Sequence, residues 1–201
     1  MQNIAVEKYV SIGFQLGKSS YWLILFNTII YFALMILAGI TIIGLVVLPA
    51  LITGYCKFLL KVTRGEEVVI ADSLSEGFKN GMWWKTLLYS LIMIIGVAIG
   101  YVLLIIPGIY LSIAWSFGFY LVIDKNMTPL DALQKSRELV HQVGFWKILI
   151  LTIIVGVLGI LQIIPVLGGL LYVLMYPFVS MLIPAVYENA VAGSLVHTDK
   201  D

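Results

Sequence analysis

Charged residues are missing from three long stretches of this chain: Ser19 to Cys56, Thr86 to Ile123 and Ile148 to Tyr187. The stretches run 38, 38 and 40 residues, and all 12 Lys and Arg and all 11 Asp and Glu fall outside them. A soluble domain carries about 25% charged residues spread over its surface, against 11% here. A water-exposed all-α core of this purity is therefore excluded in favour of a lipid environment, where an Asp, Lys or Arg at the bilayer centre costs roughly 2.5–3.5 kcal/mol.

Other absences narrow the chemistry. One cysteine, Cys56, rules out an intramolecular disulfide, and its place near the end of an apolar stretch suits a small packing residue. Two histidines, His141 and His197, form no cluster with metal-ligand spacing, and no phosphate loop, nucleophile elbow or zincin motif occurs. The carboxylates Glu66, Glu67, Asp72, Asp124, Asp131 and Glu138 lie outside the apolar stretches, where helix capping and charge pairing account for them better than a shared cation. No catalytic residue, cofactor or metal is expected, and the chain reads as a non-enzyme. A net charge of +1 gives no reason to expect nucleic acid. With no ionisable group inside the stretches, charge-coupled transport lacks its usual carriers. No cleavable signal peptide is apparent in the first 18 residues.

What is present concerns length and spacing. An apolar helix needs about 20 residues to cross a core of about 30 Å, so each stretch is twice the length of one span. Two helices joined by a tight turn solve this, giving six transmembrane helices as three hairpins in an all-α fold. The turns are expected near Gly39 to Gly44, Ile106-Pro107-Gly108 and Pro165 to Gly169. Every polar connection then falls on one side with all the Lys and Arg, which makes that side and both termini cytoplasmic.

Trp22, Trp84 and Trp146 are 62 residues apart, and Pro49, Pro107 and Pro165 are 58 apart. This spacing predicts an internal triplication with units of about 1–64, 65–126 and 127–190, followed by a polar tail, 191–201, in a single membrane domain 1–201. Trp22, Trp84 and Trp146, with Lys85 and Lys147, are candidate anchors at the membrane interface. Pro49, Pro107, Gly108, Pro165, Pro177 and Pro184 are candidate breaks and turns. Gly96 and Gly100 have the spacing of close helix contacts. Asn27 and Gln162 are candidates for interhelical hydrogen bonds or for a polar path.

An amphipathic segment precedes each hairpin: about Asn3 to Leu16, Asp72 to Met82 and Thr128 to Val143. In the third, Thr128 is placed to N-cap, Pro129 to occupy the first turn and Asp131 to pair with Lys135. The segments are expected either on the lipid surface or as caps on the bundle.

Ile106-Pro107-Gly108-Ile109-Tyr110, Tyr120 to Asp124, Thr128 to Leu139 with its P-x-x-A-L-x-x-S pattern, and Gly144-Phe145-Trp146 form one longer signature. It resembles a group of bacterial and archaeal polytopic membrane proteins that includes the membrane domain fused to some glycerophosphodiester phosphodiesterases. The match covers about residues 102 to 147. The soluble phosphodiesterase domain is absent, so no catalytic residue carries over. The resemblance implies a six-helix module of the prokaryotic cytoplasmic membrane. Two functions stay open: a scaffold, assembly partner or regulator working with copies of itself or with other membrane proteins, and a transporter or channel for a neutral, lipid-like or small solute.

Overall fold

The structure, a computed structural model, describes residues 6–40, 42–69, 74–160 and 167–198. Among these residues it is all-helical. The helices are α1 (Val6–Ser19), α2 (Tyr21–Gly39), α3 (Ile42–Thr63), α4 (Met82–Leu103), α5 (Ile105–Ala114), α6 (Gly118–Lys125), α7 (Pro129–Val143), α8 (Phe145–Ile160), α9 (Leu167–Ser180) and α10 (Leu182–Thr198). Among the described residues four segments are long and apolar enough to cross a membrane: Tyr21–Gly39, Met82–Leu103, Ile105–Lys125 and Gly168–Ala192. Pro129–Val143 and Phe145–Ile160 meet the same criterion as a pair, bent by 97°. The outward faces are apolar to a degree water would not tolerate. Val102 is 88% exposed and Ile106 80%, within a continuous exposed run from Tyr101 to Ile106.

Helices consecutive in the chain pack on each other: α2 on α3, α4 on α5 and α6, and α8 on α9. The α4–α5 contact is a glycine crossing. A Cβ on Gly100 would stand 3.0 Å from the Gly108 Cα, and one on Gly96 would meet the Trp115 ring. Both glycines therefore serve the close approach expected of their spacing. The turn itself lies at Leu104, which is extended, three residues before Pro107. Pro107 is the third residue of α5, where its missing N–H costs nothing because no intrahelical acceptor exists there. Pro49 likewise breaks nothing: it lies inside α3. The last long segment is interrupted at Met181, between Pro177 and Pro184. Pro184 has no N–H to donate to the Ser180 carbonyl, and the interruption falls on the next residue. Pro165 and Gln162 lie outside the described residues.

The amphipathic segments pack on the long helices. The α1 stripe carrying Tyr9 and Gly13 is buried, and α1 contacts α2, α8, α9 and α10. The inner face of α7 carries Ala132, Leu133, Ser136, Leu139, Val140 and Val143, and packs on α4, α5, α6, α8 and α10. Thr128 caps α7 by accepting the Asp131 N–H at 3.3 Å, with Pro129 at the first position as its chemistry demands. Lys135 bonds Glu138 at 2.9 Å rather than Asp131, whose carboxylate accepts the Thr128 hydroxyl at 2.6 Å. The segment before α4 is not one helix: a helical turn at 74–76 gives way to a 3-10 turn at Lys79–Gly81, and Gly81 has φ +66°.

Candidate functional site

Three polar groupings stand out in an otherwise apolar molecule. The deepest is on α2 and α3. Thr28 and Tyr55 share a 2.8 Å hydrogen bond, both buried. Beside them a cavity of about 20 Å³ is lined by Thr28, Tyr31, Phe32, Met35, Tyr55 and Tyr176. That is room for about one water, not a passage. Asn27, one residue away, is fully buried, and neither its Oδ1 nor its Nδ2 has a partner. It makes no interhelical hydrogen bond, and it lines none of the cavities described here. An unpaired buried amide costs about 1–3 kcal/mol. We therefore expect Asn27→Leu to be neutral or to stabilise the solubilised protein by about 1 kcal/mol, read as an unchanged or raised melting temperature; a clear loss would mean that the amide has a partner.

The second grouping joins the ends of two helices to the body of a third. Arg64, just past α3, places its guanidinium 2.7 Å from Asp124 Oδ1 at the end of α6 and 2.7 Å from Glu188 Oε1 on α10. Its Nε also donates to Glu188, at 2.9 Å. Buried Tyr187 donates its hydroxyl to the other Asp124 oxygen at 3.1 Å, and Lys125 stands 3.3 Å from it. The Asp124 side chain is only 8% exposed. The sequence reading assigns Asp124 to capping or charge pairing without naming a partner, and its pairing with Arg64 and Lys125 fits that reading. Its place at the end of a 38-residue charge-free stretch was the available signal that it sits at a boundary.

In the third grouping, Glu76 accepts from Lys57 at 2.6 Å, with Lys61 at 3.5 Å and Lys79 at 3.7 Å. The Lys57 ammonium holds the Glu76 carboxyl below its ordinary value of 4.5, opposed by burial and assisted by Lys61 and Lys79. A depressed carboxylate stabilises the fold above its unfolded value, and that contribution is lost as pH falls through the folded value. Melting temperature should thus drop as pH is lowered below about 4.5. In Glu76→Gln that part of the drop should disappear; an identical acid profile would show that Glu76 is not coupled to folding.

The remaining signature residues have structural duties. Ser136 on α7 donates to the Ala114 carbonyl at 2.8 Å and accepts the Phe117 N–H at 3.1 Å. Tyr89 on α4 donates to the Trp115 carbonyl at 2.6 Å. Together they satisfy backbone groups freed where α5 gives way to α6. Tyr110 hydrogen-bonds His141 at 2.9 Å and stacks on Phe145. Gly144 has φ +110°, a conformation that favours glycine, at the 97° bend between α7 and α8. The candidate anchors Trp22, Trp84 and Trp146 are all more than half exposed, and Lys85 donates to Asn126 Oδ1 at 2.8 Å. Among the described residues no three His, Cys, Asp or Glu side chains are placed to hold a metal.

The fold and these groupings define a class, an all-helical protein with several membrane-length helices. Comparison with protein-family models, curated proteins and solved structures gives no match for this chain. Its functional reading therefore rests on geometry.

Proposed function

We propose that the chain is a six-span, non-enzymatic integral membrane module, a scaffold or assembly partner. In this reading it sits in the prokaryotic cytoplasmic membrane with its polar connections and both termini on the cytoplasmic side. One observation carries this reading. Arg64, just past α3, stands 2.7 Å from Asp124 at the end of α6 and 2.7 Å from Glu188 within α10, so charged groups from three segments far apart in the chain gather at one place, as a shared polar side of the bundle requires. Helices α3 and α8 complete the set, each packed on a membrane-length neighbour. The unpartnered Asn27 and the one-water cavity argue against a polar path through α2.

Passage of a lipid-like solute keeps one observation in its favour. An apolar groove of about 300 Å³ runs between α1, α8, α9 and α10, lined by Val10, Phe14, Ile154, Leu158, Met175 and Phe178 among others. Two measurements test the reading. Single cysteines at Glu67 and Asn126, with Cys56 replaced, should label only from the cytoplasmic side. Vesicles carrying the protein should exchange a fluorescent phospholipid between leaflets no faster than empty ones. Labelling from outside would overturn the topology, and accelerated exchange would move the function to lipid transport.

A further inference from the structure

The Glu76 grouping is unbalanced in charge. Three ammonium groups converge on one carboxylate, and among the described residues they form ion pairs with no other acid. Among the described residues two positive charges thus stay uncompensated while like charges crowd each other, an arrangement that favours a further anion. The lysines are also reachable. The side chains of Lys57 and Lys61 are about 30% exposed and that of Lys79 is 52% exposed. Each ammonium has three donors, so Lys57 retains N–H groups beyond the one given to Glu76.

Their depth narrows the identity of the anion. Lys57 is the first charge after the stretch that ends at Cys56, and Lys61 lies one turn further on. Gly77, next to Glu76, is seated against the Ala50 carbonyl, so closely that a Cβ has no room. Ala50 lies seven residues before Lys57, about 10 Å along α3. The segment carrying Glu76 therefore reaches from charged to apolar level alongside one helix. Phe78, 49% exposed, follows Gly77 directly. Basic pockets at this boundary suit the headgroups of anionic lipids.

We propose that Lys57, Lys61 and Lys79 bind the phosphate of an anionic glycerophospholipid, with Phe78 against its acyl chains. Glu76 preorganises the lysines and competes with the phosphate for them. The proposal rests on the membrane reading above but not on which side the loops face.

The test is native mass spectrometry of the full chain in detergent with equal amounts of phosphatidylglycerol and phosphatidylcholine. The wild type should retain phosphatidylglycerol preferentially, by up to about thirtyfold for two surplus charges. K57Q/K61Q/K79Q should lose the preference. K79Q alone, at the most exposed lysine, should weaken it without threatening the fold. E76Q should strengthen it, which a merely structural role would not produce. Equal retention of both lipids by the wild type, or an unchanged preference in folded K79Q, would overturn the proposal. Inorganic phosphate that matches the lipid in raising the melting temperature would overturn the lipid assignment in favour of a free anion. Retention in detergent does not depend on sidedness. A failed topology experiment therefore leaves this result standing, and a failed lipid experiment leaves the module standing.

Discussion

Gly100→Leu should lower the stability of the solubilised protein by about 3 kcal/mol, the largest effect expected of any single change. At Gly100 the backbones of α4 and α5 touch. Its added Cβ would lie 3.0 Å from the Gly108 Cα and 3.1 Å from the Gly108 nitrogen, with Leu111 Cδ1 at 3.2 Å. Main-chain atoms cannot rotate away as a side-chain tip can, so α5 must shift as a body. Gly108 is itself seated closely on α4, since a Cβ there would meet the Tyr101 ring at 2.5 Å. Movement of α5 would also strain the Ser136 and Tyr89 bonds at its far end. Gly156 on α8 is the control. A Cβ there meets nothing within 4 Å, and Gly156→Leu should change melting little or raise it through helix propensity. Equal melting of Gly100→Leu and wild type would rule out the glycine crossing.

Arg64→Ala should cost about 2–3 kcal/mol, below the usual range for breaking a buried pair because the arginine side chain is one-third exposed. The loss comes mainly from what is left behind. Asp124 would keep Lys125 at 3.3 Å and the Tyr187 hydroxyl, but its guanidinium partner at 2.7 Å would be gone. Arg64→Lys should recover only part of the loss, since one ammonium cannot reproduce the fork that reaches Asp124 and Glu188 together. Asp124→Asn in the Arg64→Ala background should recover some stability by removing the uncompensated charge. Additive effects of the two substitutions would show that the residues do not interact.

Much of the helical plan was legible in the sequence because long uninterrupted apolar runs follow so simple a rule. The charge-free runs marked the apolar segments, and Gly96 and Gly100 marked a close contact. Thr128 and Pro129 marked the start of α7 through local chemistry alone. Less local features were harder to read. Pro107 suggested a turn, yet the chain reverses at Leu104, because a proline in the first helical turn carries no penalty and so does not say which side of it the turn lies on. Asp131 and Lys135 have favourable spacing, but Thr128 and Glu138 offered nearer partners. The Asp72 to Met82 pattern suggested a helix. The close seat of Gly77 on α3 and the positive φ of Gly81 mark where that helix is interrupted. Ser136 could be seen as part of a signature, but not that it would serve a helix break 19 to 22 residues away in the chain.

The run from Tyr101 to Ile106 also bears on how the chain reaches its place. The reversal at Leu104 contains no charged group, and none lies within 18 residues on either side. Driving α4 and α5 into a bilayer tip-first therefore carries no ion through hydrocarbon, and the Leu104 N–H is already bonded to the Gly100 carbonyl. Under the proposed membrane topology this lowers the main barrier to biogenesis for the pair: the two helices would enter together, with no charged loop to carry across.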